Sequence, residues 1–180
     1  MAIKVKIDNN QILAVQQSFD LDEKELKRAF TKALRKAQRW MHSQSLKSIS
    51  KETGISQKML RNRIKYKAVK NLKAIVFEGL NRMALMLLKA KQIKKGVRTP
   101  RLKLAASAFI KSAFIGPVRK GSKKLVVYKR VGKKRLPVDE HKADFENKAK
   151  QVILNLAENK WLEQFYIYFQ QEAKWQLQLR

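Results

Sequence analysis

No cysteine occurs in the 180 residues, so disulfides and thiolate metal sites are excluded, which fits a reducing cytoplasm. Histidine is almost as rare. His42 and His141 stand far apart without ligand-spaced neighbours, and a lone histidine is far more often structural than catalytic, so neither is assigned a role. The longest purely apolar run, Met83 to Leu88, falls far short of the roughly 20 residues that a membrane-spanning helix needs. The start, Met1 to Ile7, alternates apolar and basic residues like a strand and has no apolar h-region behind it, so neither a signal peptide nor a membrane segment is expected. Neither G-x-x-x-x-G-K-[ST] nor G-x-G-x-x-G occurs, which removes the common phosphate-cradling loops.

Carboxylates are scarce: 14 Asp and Glu stand against 42 Lys and Arg, a net charge of +28. Residues 1–138 hold 36 basic and 7 acidic side chains, whereas residues 139–180 hold 6 and 7. Between Glu78 and Asp139 there are 18 Lys and Arg and not one carboxylate. That segment cannot neutralise itself by local pairing, and it repels itself unless it meets a polyanion or an acidic protein surface. Hydrophobic residues make up 44%, enough to bury a core, so the chain is not a disordered basic tail.

A helix is expected from Asp20, which can N-cap while Glu23 completes a capping box. Apolar residues recur at Leu26, Ala29, Phe30, Ala33, Leu34, Ala37, Trp40 and Met41, opposite a basic face of Lys27, Arg28, Lys32, Arg35, Lys36 and Arg39. The pattern runs through Leu46 and Ile49 to a natural stop at Gly54, and a short second helix from Ser56 carries Met59, Leu60 and Ile64. Ala74–Phe77, Lys103–Ile110 and Leu125–Tyr128 read as short strands between turn residues, and residues 79–94 as strand or mixed structure. From Asp139 to Arg180 there is no glycine or proline. Phe145, Ala149, Val152, Ile153, Leu156, Ala157, Trp161, Phe165, Tyr168 and Phe169 fit a long helix there, and Tyr166 and Trp175 lie off its main stripe.

The fold class expected is α+β, with a long N-terminal helix, a small, largely antiparallel sheet carrying a basic hairpin, and a long C-terminal helix. Residues 1–138 are taken as the basic α+β domain and 139–180 as a helix for packing or subunit contact, through Trp161, Phe165, Tyr168, Phe169 and Trp175.

Two motifs carry chemistry weakly. Ser48 to Ile64 has the layout of a helix-turn-helix, with Gly54 at the turn, Ile49, Ile55 and Leu60 as its small core and Ser56–Arg63 as recognition helix; a stand-alone DNA-binding protein is the alternative function. The first helix, over thirty residues, is long for that motif. Asp139-Glu140-His141-Lys142 echoes a metal-dependent nuclease, but such a site needs another carboxylate upstream and the nearest is Glu78. No catalytic residue, cofactor or metal site is assigned. The stronger feature is the cluster Arg119, Lys120, Lys123, Lys124, Lys129, Arg130, Lys133, Lys134 and Arg135. It reads as a hairpin with cations at its tip and rim, suited to phosphates through charge and counterion release, or to an acidic protein.

The order of features is itself informative. Ala29-Phe30-Thr31-Lys32-Ala33-Leu34 is followed by Lys51-Glu52-Thr53-Gly54-Ile55, Lys58-Met59-Leu60 and Arg63, then Gly96-Val97-Arg98, Ala108-Phe109-Ile110 and Gly116-Pro117-Val118-Arg119-Lys120-Gly121. The run Val127 to Asp139, with Leu136-Pro137-Val138, precedes the C-terminal helix. This order resembles the minor tail protein Z family of lambda-like bacteriophages and prophages across nearly the whole chain, most specifically in the Ala-Phe-Ile strand and basic hairpin. The resemblance implies a structural protein without catalytic residues that completes the head-proximal end of a long tail so that it can join the head, near the DNA path. Implied partners are the tail terminator, tail tube and connector, and phage DNA. A homo-oligomeric, hexameric ring in the virion tail, assembled in the host cytoplasm without a membrane, is expected.

Overall fold

The computed structural model describes residues 9–70, 73–99, 103, 109–132, 134 and 136–178. The strand expected at Met1–Ile7 lies outside them, as do residues 104–108 of the strand expected at 103–110. The chain divides into two compact units interleaved in sequence: Met1–Ser48 with Leu60–Gly79 and Gln151–Arg180, and Ile49–Met59 with Leu80–Lys150.

The first unit opens with helix α1, Asn9–Ser18. It closes on Asp20, whose φ of 45° reverses the chain while its N–H and that of Leu21 donate to Gln17 and Gln16. This use of Asp20 moves the next capping box two residues on. The Asp22 carboxylate accepts from the Glu25 N–H at 2.7 Å, and the Glu25 carboxylate accepts from the Asp22 N–H at 3.1 Å. The long helix α2 therefore runs Glu23–Thr53. Its inner stripe includes Ala29, Phe30, Ala33, Leu34, Ala37 and Met41, and the alanines leave room for large rings opposite. The last turn of α2 and the first three residues of helix α3, Gln57–Arg61, belong to the second unit; α3 is a short piece, and Ile64, back in the first unit, already belongs to a strand. Strands β1, Ile64–Lys70, and β2, Lys73–Glu78, form an antiparallel hairpin in which Tyr66 faces Val76. Two polar side chains of α2 hold β1: Gln38 Nε2 donates to the Lys67 carbonyl at 2.9 Å, and His42 Nε2 lies 3.0 Å from the Ile64 carbonyl. Buried polar groups need such partners.

The second unit holds the remaining strands, in three small antiparallel sheets. β3, Met83–Ala84, pairs with β10, Lys142–Ala143. After β3 the apolar run becomes one 3₁₀ turn, Leu85–Leu88, which buries Leu85 and Leu88 and leaves Leu87 outside. That is the eclipsed i, i+3 spacing of such a turn, so residues 79–94 are indeed mixed structure. β4, Lys91–Ile93, β5, Gly96–Arg98, and β6, Phe109–Lys111, form one sheet in that order. β7, Ala113–Pro117, β8, Leu125–Arg130, and β9, Val138–Glu140, form another. The Gln92 amide joins the two. Its Nε2 donates to Gly96 O at 3.0 Å and its Oε1 accepts from the Ile115 N–H at 2.8 Å. Val97, Ile110, Ala113, Val126 and Val127 supply buried apolar contacts to these sheets. The fold is thus α+β, with its strands in several small sheets.

The C-terminal helix starts later than the composition indicates, because residues 138–143 are spent on β9 and β10. Helix α4, Glu146–Leu156, passes through a π turn, Ala157–Trp161, into helix α5, Leu162–Leu177. The wide turn has a cause in the sequence. Ile153, Ala157, Trp161, Phe165, Phe169 and Ala173 are all buried at intervals of four. An α-helix turns about 100° per residue, so each interval of four overshoots the stripe by about 40°. Over the five intervals the drift reaches about 200°, and one additional residue in a π turn takes up about half of it, which keeps the aromatic stripe on the inner side. Within the first unit Phe30 then meets Phe165 and Phe169 edge-on at 5.2 and 5.7 Å, and Trp161 stacks on Phe165 at 5.7 Å.

Candidate cationic partner interface

The basic cluster lies on a meander rather than on one hairpin. β8 is its central strand, with a turn at either end. Arg119, Lys120, Lys123 and Lys124 occupy the turn between β7 and β8, and Lys134 lies in the one between β8 and β9, while Lys129 and Arg130 end β8 itself. Lys133 and Arg135 lie outside the described residues. Six residues at about 3.4 Å each put the two turns on the order of 20 Å apart, so the cations form two tips instead of one patch.

The first tip is tightly built. Val118 N–H donates to Lys124 O at 3.0 Å, Ser122 N–H to Arg119 O at 2.9 Å, and Lys124 N–H to the Ser122 hydroxyl at 3.1 Å. From β8, the Tyr128 hydroxyl donates to Pro117 O at 3.1 Å, and its ring lies 5.6 Å from that of Phe114 across the strand pair. Gly116 leaves space under that ring, since a Cβ there would already touch it at 3.5 Å. The four cations at this tip are exposed, and none of the seven described cluster residues takes part in an ion pair among the described residues. Acids do approach the other end of the meander: Asp139 pairs in register with Lys129, and Glu140 meets Lys142 at 3.1 Å. Beside them, burial lowers the pKa of His141, and the charges of Lys129 and Arg82 lower it further. Among the described residues no group of three His, Asp or Glu side chains could hold a metal ion, and no helix is long and apolar enough to cross a membrane.

The meander thus presents exposed positive charge. The family model for prophage minor tail protein Z (GPZ) matches residues 12–179. The chain belongs to that family. No curated protein and no solved structure matches it. Membership makes this a structural protein of a phage tail, working among other tail proteins.

Within this minor tail protein the C-terminal aromatics separate by face. Trp161, Phe165 and Phe169 point into their own unit, Tyr168 is half-buried and Trp175 is exposed. Lys32 Nζ lies 3.7 Å from the centre of the Trp175 ring, and Lys32 and Lys36 both reach the buried Glu172 carboxylate. That cluster joins α2 to α5 and could not be read from sequence, because 140 positions separate Lys32 from Glu172. The helix-turn-helix alternative loses its recognition element. Gly54 does turn the chain, at φ 75°, but α3 has five residues and is therefore only about 7.5 Å long, too short to lie along a major groove.

Proposed function

We propose that this tail protein completes the head-proximal end of the tail and makes it competent for head joining, as a six-membered ring with its cationic meander turned to the DNA path or to acidic neighbours. The observation that carries the reading is the segment between Glu78 and Asp139, 18 cations without a carboxylate, of which seven stand on the described part of the meander with no ion pair among the described residues. A surface of that kind is costly to a monomer through self-repulsion and useful in an assembly that supplies negative charge. The outer side of α5, with Ile167 and Trp175 exposed, contributes to contact between subunits. A ring of identical subunits needs two different complementary patches per chain, and the outer side of α5 supplies one of them.

The test is the mass of the purified protein by light scattering in high salt, which strips nucleic acid, followed by negative-stain imaging with and without tail tubes. Rings, or oligomers that form on the tubes, are expected. A protein that stays monomeric at high concentration and ignores the tubes refutes the reading.

A further inference from the structure

The first tip is more than a set of charges. Val118 and Leu125 flank it at the mouth of the turn and are 47% and 45% exposed. Above this apolar neck stand Arg119, Lys120, Lys123 and Lys124. The neck is closed by the Val118–Lys124 backbone bond and braced by Tyr128, so the tip is presented in one shape. Preorganisation of that kind lowers the entropic cost of association. A duplex backbone matches four cations but offers phosphates and sugars, with no apolar surface to cover a valine and a leucine. A protein recess with an apolar rim and carboxylates at its floor matches both features, as interfaces with an apolar centre and complementary charge do.

We propose that residues 118–125 form a plug that docks into an acidic, apolar-rimmed recess on another tail protein. This deepens the tail-completion reading and rests on it. It assigns the tip between β7 and β8 to protein and leaves the DNA path to other cations.

The experiment uses the full-length chain and two probes: tails of the parent phage assembled without this protein, followed by co-sedimentation, and a 20-base-pair DNA duplex, followed by fluorescence anisotropy. Two double variants are compared with the native chain. Val118→Thr with Leu125→Thr removes the apolar neck but retains residues suited to strands, and Lys120→Gln with Lys123→Gln removes charge. Leu87→Thr, an exposed apolar position outside residues 118–125, controls for surface change, and circular dichroism checks that each variant is folded. Tail binding is expected to weaken about tenfold to thirtyfold in the Thr pair, the scale of losing half-burial of a valine and a leucine. The Gln pair should weaken it too, and DNA binding should change less than about twofold in the Thr pair. Tail binding indifferent to the Thr pair overturns the plug and leaves the tail reading intact. Native protein that does not bind the tails at all overturns both.

Discussion

Gly96 offers the sharpest test of how the second unit is put together. It pairs with Lys111 across β5 and β6, and its φ of 155° lies outside the range that side-chain-bearing residues adopt readily. A Cβ at this position would lie 2.1 Å from the Ile110 carbonyl oxygen and 3.2 Å from Lys111 Cα. The first distance is more than 1 Å inside the roughly 3.5 Å of an optimal nonbonded contact, and both obstacles are backbone, which cannot swing away as a side-chain end can. Gly96→Ala must therefore part β5 from β6 or rotate the Gly96 peptide. Strain of the dihedral kind costs about 1–3 kcal/mol and overpacking about as much again, which gives about 2–6 kcal/mol in all. A typical domain has a net stability of only about 5–15 kcal/mol, so much of it would be lost. Gly121→Ala is the internal control. Its φ of 78° is also positive, yet a Cβ there meets nothing within 4 Å, so it should cost only about 1–2 kcal/mol. Trp40, Trp161 and Trp175 all lie in the first unit, so tryptophan fluorescence follows that unit and not this one. Hydrogen exchange at Val97 and Ile110 in graded guanidinium reports the second. The reasoning fails if Gly96→Ala and Gly121→Ala unfold within about 1 kcal/mol of each other, since the steric part would then be missing.

Phe165→Ala should destabilise the first unit by about 3–5 kcal/mol in guanidinium unfolding followed by tryptophan fluorescence, because Phe165 is fully buried between Phe30, Trp161 and Phe169. A loss under about 1 kcal/mol would show that the ring cluster relaxes freely. Deleting Asn159 should be tolerated within about 1 kcal/mol, since it turns the π turn into an α turn and leaves Phe165 and Phe169 facing inward. Inserting an alanine after Asn159 rotates both by about 100° and should unfold the unit, so equal damage from the two changes would contradict the phase argument. The pKa of His141 is lowered in the fold, so below the ordinary value of 6.5 the unfolded chain binds the extra proton first and stability falls as pH drops through that region. His141→Asn should flatten this part of the stability–pH curve, measured by thermal unfolding from pH 7.5 to 5, and an unchanged slope would assign it elsewhere. Lys103 donates through Nζ to Lys51 O at 2.9 Å at the C-terminal end of α2, so Lys103→Met should cost about 0.3–1 kcal/mol, less at high salt. No change in a chemical-denaturation midpoint at low salt would refute that role.

What was legible in the sequence was what repeats. The stripe from Ala29 to Met41 fixes α2, and the run from Phe145 to Phe169 fixes a C-terminal helix, because periodicity is a local property. The Leu125–Tyr128 strand and the mixed nature of residues 79–94 could be read from turn residues and apolar spacing. The capping box was displaced because Asp20 closes a helix that precedes α2, and Asn9–Ser18 has little apolar periodicity to announce it. Ile64 fits the short helix expected from Ser56 by its spacing from Leu60, and only its pairing with Glu78 of β2 makes it the first residue of β1. The start of the C-terminal helix was misplaced because β9 and β10 are held by distant partners, β8 and β3, and such non-local pairing leaves no local mark. At the candidate interface the cations were plain from composition. Their division between two tips, and the apolar neck of the first, depend on where the strands turn.

The charge is not spread evenly over the molecule. The second unit carries 23 Lys and Arg against 5 Asp and Glu, a net of +18, and the first carries 19 against 9, a net of +10. The unit built mainly of short strands is thus also the one with the greater excess, and short two- and three-stranded sheets are marginal unless packed or paired further. Self-repulsion acts against the same small sheets that Gln92 and the buried valines hold together. An acidic partner would remove repulsion as well as add contacts, so its binding energy and the stability of the second unit are linked quantities. Salt imitates only the first of these effects. The isolated protein should therefore gain stability with ionic strength, while its attachment to tails weakens, and the opposite signs follow from one cationic surface acting first on itself and then on its neighbour.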